Sequence, residues 1–241
     1  MRIAVISDIH GNLPALQAVI ADAGTVDTWW CLGDITGYGA NPNECVRCVR
    51  DLGGVVLAGN HDVAAIGLAS IPSFNNHAAR CLRWTARVLE PDQRTFLREV
   101  AELPVRLERD RFTLVHASPR DPVWEYVATG REALENFPFF SSQYCLVGHT
   151  HVAAAYDDRG RNVMGDLIGP GQPLADRRLL CNPGAVGQPR DGDWRASYLL
   201  LDDDGPGWEW RRVAYDVADA AARIRAAGLP EVEAARLSLG R

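Results

Sequence analysis

The fold of this chain is constrained most strongly by a recurring pattern. Short runs of apolar residues are followed closely by glycine and by Asp, Asn or His. The first run covers residues 3–6 and is followed by Asp8 and His10. Four consecutive apolar residues predict a buried strand. Because Asp8 and His10 lie two positions apart in an extended segment, their side chains point the same way. The pair is therefore a candidate for holding one metal ion.

The same arrangement occurs twice more in the first 62 residues. Residues 29–32 precede Gly33-Asp34, and residues 55–58 precede a polar loop, Gly59-Asn60-His61-Asp62. Helical spacing after Pro14 and again from Pro42 to Leu52 separates the runs, with Asn41 as the expected cap of the second helix. Alternating strands and helices predict a parallel sheet, whose sites lie at the carboxyl ends of its strands. The side chains expected to gather there are Asp8, His10, Asp34, Asn60 and His61.

The second half of the chain favours shorter strands. We predict a hairpin from residues 105–108 and 112–116, strands at 144–147 and 179–181, and a closing hairpin from 197–201 and 208–213. Two helices are expected between residues 75 and 103, one near 131–137, and helical segments after Asp216. The sequence contains no repeat, low-complexity tract or linker, so residues 1–241 are expected to form a single domain.

Five of the six histidines lie in loops that follow predicted strands: His10, His61, His116, His149 and His151. The sixth, His77, lies in a predicted helix and is expected to be structural or at the surface. Histidine combined with carboxylate and amide oxygens, without thiolate, suits manganese, iron or zinc. Eight candidate ligands exceed the needs of one ion, and the two oxygens of Asp34 suit it to bridge two. Two divalent transition metal ions are therefore expected as cofactors.

The order of these motifs resembles that of the calcineurin-like metallophosphoesterases. The residues that carry the resemblance are Asp8-Ile9-His10, Gly33-Asp34, Gly59-Asn60-His61-Asp62, His116 and Gly148-His149-Thr150-His151. The loop Gly37-Tyr38-Gly39 and residues 182–193 resemble the bacterial and archaeal subgroup that includes small phosphodiesterases. The resemblance implies an α/β fold, a four-layer α/β/β/α sandwich of two mixed sheets flanked by helices.

The resemblance also implies roles for individual residues. It assigns to one metal Asp8, His10, Asp34 and His151, and to the other Asp34, Asn60, His116 and His149. It implies that His61 faces the substrate phosphate as a catalytic residue and that Asp62 orients it. The implied reaction is in-line attack on phosphorus by a hydroxide bridging the two ions, with His61 donating to the leaving oxygen or stabilising its charge.

Three further residues are candidates for contacts with the substrate. Arg190 follows a glycine-rich turn and could hold a phosphate oxygen, or it could be a surface arginine. Tyr38 could line the pocket or pack against the following helix. Asn12 could bind substrate or cap the helix that begins after it.

The substrate class stays open at this point. The subgroup resemblance favours a phosphodiester, with nucleotide polyphosphates, phosphomonoesters and phosphoproteins as alternatives. An alternative of another class is a non-catalytic scaffold on the same fold, like the retromer subunit that resembles these enzymes. Scaffold relatives tend to lose ligands or the catalytic histidine, whereas all eight positions are present here.

Composition narrows the partners. The net charge of −6 and the sequence pI near 5.5 argue against a nucleic acid duplex, which needs a basic face, and leave a small phosphorylated substrate. All 25 basic residues are arginine, which excludes lysine Schiff-base chemistry. No run approaches the roughly 20 apolar residues of a membrane span, and the scattered cysteines favour a reducing cytoplasm. Oligomerisation is left open, because residues 216–239 could pair with another chain or close the sandwich.

Overall fold

The computed structural model describes residues 1–103, 105–167, 177–202 and 207–241. In chain order the strands are β1 (Arg2–Ile6), β2 (Thr28–Cys31), β3 (Val55–Val56), β4 (Arg106–Arg109), β5 (Phe112–Val115), β6 (Tyr144–Leu146), β7 (Ala154–Asp157), β8 (Leu179–Asn182), β9 (Ala196–Asp202) and β10 (Gly207–Val213). The α-helices are α1 (Leu13–Ala23), α2 (Pro42–Leu52), α3 (Asn60–Ala65), α4 (Asn76–Val88), α5 (Pro91–Glu102), α6 (Gly130–Asn136), α7 (Met164–Leu167), α8 (Val217–Ala226) and α9 (Glu231–Ala235).

The strands form two mixed sheets of five strands each. The first has the order β10-β9-β1-β2-β3, with β1, β2 and β3 parallel, β9 antiparallel to β1, and β10 antiparallel to β9. The second has the order β4-β5-β6-β8-β7, with β5, β6 and β8 parallel between two antiparallel edge strands. In both sheets the parallel strands therefore end at a common edge, where their loops meet.

The alternation of side chains along β1 explains the layers. Ile3 and Val5 pack into the core between the two sheets, which also contains Phe112 and Tyr144 of the second sheet. Ala4 and Ile6, on the opposite face of β1, join the core formed with the outer helices. A third cluster packs the outer face of the second sheet against α6. These layers confirm the predicted α/β/β/α sandwich.

The region after β3 differs from the prediction. The predicted strand 55–58 is only two residues long, and the expected loop at residues 59–62 is the start of α3. A carboxylate oxygen of Asp62 accepts a hydrogen bond of 3.2 Å from the backbone N–H of Gly59, which is how an acidic residue stabilises the first turn of a helix. The prediction of a loop was wrong because this local cap was not recognised.

One other local prediction needs correction, and one strand was not predicted. Asn41 does precede α2, but its side chain does not cap that helix; its Oδ1 accepts instead from the guanidinium of Arg223 at 3.4 Å. The strand β7 was not predicted, because two of its four residues are alanine and give no strand signal.

The C-terminal helices pack against the rest of the chain. Ala220 and Ile224 of α8 and Leu229 lie in the same core cluster as Leu16 and Val19 of α1. Of the two alternatives for this segment, the structure shows closure of the outer helical layer; pairing with another chain stays a prediction. Across the described ranges, none of the helices has both the length and the apolar character needed to span a membrane.

Candidate metal centre

Loops from both sheets bring the seven predicted ligands together in the interior. Asp8 and His10 follow β1, Asp34 follows β2 and Asn60 begins α3; His116 follows β5, and His149 and His151 follow β6. All seven side chains are buried. Two groups have ligand atoms within 4.8 Å of one another: Asp8, His10, Asp34 and His151, and Asp34, His116 and His149. Asn60 extends the second group, because its Oδ1 lies 3.3 Å from Nε2 of His116.

The backbone at the centre is held in an unusual conformation. Five of the seven candidate ligands have a positive φ between 50° and 65°: Asp8, His10, Asp34, His149 and His151. For residues other than glycine this left-handed conformation costs roughly 1–2 kcal/mol each. Strain of this kind persists where the surrounding structure enforces it, and it is concentrated at functional sites. No local feature of the sequence indicates this conformation.

Backbone carbonyl groups fix the protonation of three histidines. Nδ1 of His10 lies 2.9 Å from the oxygen of Thr36, and Nδ1 of His151 lies 2.7 Å from that of Gln188. Nδ1 of His116 contacts the oxygen of Leu32 at 2.9 Å. A carbonyl oxygen only accepts hydrogen bonds, so each Nδ1 carries the proton and each Nε2 presents a lone pair to the centre.

The atoms that face one another across the centre are those that a cation would hold together. The Nε2 atoms of His10 and His151 are 3.0 Å apart, although both present lone pairs. Oδ2 of Asp34 lies 3.6 Å from Nε2 of His10 and 3.5 Å from that of His116, and it is buried without a hydrogen-bond partner among the described residues. Nε2 of His149 is buried and unpartnered in the same part of the chain. This donor set fits divalent ions such as zinc, iron or manganese.

The pKa values of these groups are displaced in the directions expected from burial. Burial lowers the pKa of His10, His116 and His151 well below the usual value, so these rings are neutral, as metal ligands must be. Burial raises the pKa of Asp8 to about 7, and burial with the nearby Asp62 and Asp8 carboxylates raises that of Asp34 well above its usual range. A positive charge at the centre would oppose the upward shifts of the two carboxylates and would lower the pKa values of the histidines further.

His61 lies directly beside the centre. Its ring centroid is 4.7 Å from that of His10 and 4.7 Å from that of Tyr38, and its backbone N–H donates to Oδ1 of Asp34 at 2.9 Å. Nδ1 of His61 is buried and has no hydrogen-bond partner within the described residues. Burial, with smaller effects of Arg190 and His149, lowers the pKa of His61 to about 3, so its imidazole is neutral.

Asp62 acts on the backbone and not on the ring of His61. One carboxylate oxygen accepts from the backbone N–H and the hydroxyl of Thr36, both at 2.9 Å. The other accepts from the backbone N–H groups of Ile35 and Gly59. Asp62 thus ties the start of α3 to the loop after β2. Any positioning of His61 by Asp62 would operate through this backbone, and the role of Asp62 in orienting His61 stays a prediction.

Arg190 and Tyr38 form one wall of the site. The guanidinium carbon of Arg190 lies 5.5 Å from the centroid of the Tyr38 ring, which is buried. Nη2 of Arg190 donates to Oε1 of Gln188 at 2.7 Å, and Nε2 of Gln188 donates to Oε2 of Glu233 at 2.9 Å. Glu233 belongs to α9 and is buried. Sequence reasoning missed Gln188 and Glu233, and their separation of 45 residues gave no signal that they meet.

Asn12 is engaged within the fold. Its Oδ1 accepts from the backbone N–H of Ala15 at 3.2 Å, which caps α1, and its Nδ2 donates to the oxygen of Gly187 at 2.8 Å. The capping alternative therefore accounts for this residue, and a contact with substrate stays a prediction. His77 is exposed and lies apart from the centre, as expected.

Several known proteins are similar to this chain in sequence or in fold. A sequence model of the calcineurin-like phosphoesterase superfamily domain matches residues 1–205. An uncharacterized protein of Methanocaldococcus jannaschii is 38% identical over 252 residues, covering 99% of this chain and 98% of that protein. The crystal structure of a metallophosphoesterase from Sphaerobacter thermophilus is 44% identical, has a TM-score of 0.86, and covers 100% of this chain and 99% of its own.

A more distant similarity involves a symmetrical bis(5'-nucleosyl)-tetraphosphatase of Vibrio campbellii. It is 27% identical over 135 residues, which are 52% of this chain and 47% of that protein. The family match covers most of the chain, and the fold, the buried His/Asp cluster and the order of its residues agree with it. The chain belongs to the calcineurin-like phosphoesterase superfamily.

Proposed function

We propose that this protein is a dinuclear metal-dependent phosphodiesterase. The observation that carries the proposal is the pair of buried ligand groups that share Asp34, with His61 in contact beside them. One group has Asp8, His10 and His151 as its other members, and the second has His116 and His149 with Asn60 adjoining. Divalent ions held by these residues would supply positive charge that polarises a phosphoryl group and lowers the pKa of water.

The chain's own residues would bind and orient the phosphate. Arg190, fixed by Gln188 and lying over Tyr38, presents a guanidinium that can donate two hydrogen bonds to one phosphate group. His61 is the candidate donor to the leaving oxygen, because its neutral ring keeps one N–H and its Nδ1 is unpartnered within the described residues. Substitution of a group in this role typically costs roughly 10²–10⁴ in rate.

Hydrolysis of bis-p-nitrophenyl phosphate beside p-nitrophenyl phosphate tests the proposal. The protein is stripped with a chelator, assayed, and assayed again after addition of Mn²⁺. We expect turnover only with metal, and faster turnover of the diester. Absence of turnover of either compound, with metal bound, would favour a non-catalytic scaffold. Faster turnover of the monoester would refute the diesterase assignment.

The variant His61→Ala separates binding from turnover. We expect it to keep its metal content, measured by elemental analysis, and to lose roughly 10²–10⁴ in kcat. His77→Ala is the matched control, because His77 is the histidine outside the cluster and is exposed. A His61→Ala variant with the activity of the wild type would contradict the assignment of His61.

A second candidate function is hydrolysis of a nucleotide polyphosphate. The name of the Vibrio campbellii relative favours it, although the match to that protein covers only 52% of this chain. The two functions differ in the bond that is cleaved, a phosphate ester or a phosphoanhydride. Assay of diadenosine tetraphosphate beside the nitrophenyl diester under the same metal conditions distinguishes them.

We also propose that the whole chain, residues 1–241, acts as one domain. Glu233 of the C-terminal α9 reaches Gln188 at the site, which supports a role for the residues beyond the family match. The expected partner is a small phosphorylated substrate and not a nucleic acid duplex, in keeping with the net charge of −6. Six free cysteines are consistent with a reducing compartment such as the cytoplasm.

A further inference from the structure

A cleft of about 180 Å³ opens beside the metal centre, and its walls are largely aromatic. It extends from His61 and His149 to the rings of Phe74, Trp124 and Tyr126. Pockets that enclose drug-sized ligands usually measure roughly 300–1,000 Å³. The cleft is therefore sized for one small ring-bearing group next to the phosphate position, and not for a length of polymer.

The rings form two short rows that lead away from the centre. Phe74 contacts His61 at 5.0 Å between centroids and contacts Trp124 at 5.7 Å, both edge to face. On the other side Tyr126 lies 4.0 Å from His149 with an interplanar angle of 31°. Trp124 is thus two ring contacts away from His61. A ring bound there would be joined to a phosphate at His61 through an intervening group of about the size of a sugar.

Trp124 and Tyr126 are exposed although they are large and apolar. Trp124 is 41% exposed and Tyr126 is 53% exposed. Exposed aromatic side chains that converge on a cleft are typical of binding sites, because they supply contact area with little loss of conformational entropy. Ser73 and Asn75 also line the cleft and provide hydroxyl and amide groups suited to the polar edge of a ring.

The segment that carries the two rings is held in place before any ligand binds. Glu125 lies between them in sequence, and its carboxylate accepts hydrogen bonds from Ser118, from Nε of Arg120 at 2.9 Å and from Nδ2 of Asn136 at 3.1 Å. These contacts fix the backbone on both sides of Glu125. A preorganised wall pays less ordering cost on binding than a mobile one.

The charge at the cleft suits one phosphate group. Arg190 lies over the ring of Tyr38, which also lines the cleft, with its guanidinium carbon 5.5 Å from the ring centroid. A polynucleotide needs a row of basic side chains, one for each phosphate contact, whereas Arg190 can hold the single phosphate that reacts.

We propose that this cleft binds a planar nucleobase, so that the substrate is a small nucleoside phosphate ester with its base stacked against Trp124 and Tyr126. The proposal rests on the phosphoesterase function and specifies its substrate. Stacking of one base on aromatic side chains typically changes affinity by about 10- to 100-fold.

Two substrates with the same leaving group test the proposal. The p-nitrophenyl ester of thymidine 5'-phosphate carries a base, and ethyl p-nitrophenyl phosphate does not. For the wild type we expect kcat/KM to be about 10- to 100-fold higher for the thymidine ester. Trp124→Ala and Tyr126→Ala should bring this ratio towards one, and Trp124→Phe should keep most of it. Phe139→Ala is the matched control, because Phe139 is 46% exposed and lies outside the cleft.

The other outcomes distinguish failure of the base-binding cleft from failure of the phosphodiesterase function. Equal turnover of both esters, or a ratio unchanged in Trp124→Ala, overturns the base-binding cleft and leaves the phosphodiesterase function standing. If neither ester is hydrolysed, the phosphodiesterase function fails, and calorimetric binding of thymidine 5'-monophosphate and ethyl phosphate still tests the cleft. Tighter binding of the nucleotide that is lost in Trp124→Ala supports the cleft, and equal affinities overturn it.

Discussion

Addition of a divalent cation to the chelator-stripped protein should raise its melting temperature, and Asp34→Asn should remove most of that rise. The prediction follows from the arrangement of Asp34, whose Oδ2 is buried without a hydrogen-bond partner in the described ranges and lies within 3.6 Å of His10 and His116. Folding brings these atoms together, whereas the unfolded chain does not. A cation that binds them therefore stabilises the folded state.

The size of the effect follows from linkage. At a free metal concentration one hundred times the dissociation constant, one bound ion contributes about 2.7 kcal/mol to the free energy of unfolding. For a chain of this size 1 kcal/mol raises the melting temperature by about 2–4 °C, so one ion should give about 5–10 °C. Two ions should give about 10–20 °C under the same conditions.

The assay is thermal unfolding followed during a titration with Mn²⁺. Asp34→Asn is nearly isosteric and keeps an Oδ1 that can accept from the backbone N–H of His61, so the fold should be retained. His151→Asn and His116→Asn each remove a ligand from one group and should each lose about half of the rise. His77→Asn, the control, should behave as the wild type.

The result that would refute this reasoning is a full rise in Asp34→Asn. Stabilisation without the Asp34 carboxylate would mean that the cation binds elsewhere. Asp34 would then not be a ligand shared by the two groups. A rise that is abolished by His151→Asn but unchanged by His116→Asn would instead point to a single ion in the group of Asp8, His10 and His151.

Three further predictions concern two residues around the site and the buried Asp157 of β7. Glu233→Ala should lower kcat/KM about tenfold by releasing Arg190, whereas Glu233→Gln keeps an acceptor oxygen and should retain activity; equal losses in both variants would contradict this bridge. Gly37→Ala should reduce both turnover and the metal-induced rise in melting temperature, because its φ is +136° and a Cβ would lie 2.5 Å from a ring nitrogen of His10; unchanged values would show that the loop relaxes freely. Burial alone would raise the pKa of Asp157, but hydrogen bonds from Arg161 bring it below the usual value. The carboxylate therefore stabilises the fold above about pH 4 and loses this effect as the pH falls further, so the difference in melting temperature between the wild type and Asp157→Asn should shrink in acid.

The clustering of the candidate ligands could be predicted from the sequence because a simple geometric rule places them. Asp8, His10 and Asp34 follow consecutive parallel strands, and the carboxyl ends of such strands share one edge of a sheet. His116 and His149 follow strands of the second sheet. That this sheet packs face to face with the first was implied by the family resemblance. No property of the residues alone required the two edges to face each other.

The details that escaped prediction depend on contacts between distant parts of the chain. The left-handed conformation of Asp8 and His149 is enforced by the surrounding loops and has no local signal. The contact of Glu233 with Gln188 depends on how α9 docks after the sandwich has formed. The helical start at Asn60 was missed because its cap comes from Asp62, within a motif that we interpreted only as a source of ligands.

The distribution of ligands between the sheets has a consequence for stability. In the first group Asp8, His10 and Asp34 come from loops of the first sheet and His151 from the second, so that one ion would contact both. The second group again combines Asp34 with histidines that follow β5 and β6. Below the centre, the sheets are joined by apolar packing, such as the contact of Trp30 with Phe112 at 5.2 Å.

At the centre itself, buried carboxylates and lone pairs face one another across the same interface. Burial raises the pKa of Asp8 and of Asp34, which means that their charged forms are costly in this position. A bound cation would convert that repulsion into attraction between the two sheets. Without positive charge the buried carboxylates would therefore destabilise the sandwich, and with it they would hold the two sheets together. The residues that we propose as metal ligands are thus expected to affect the stability of the fold as well as the reaction.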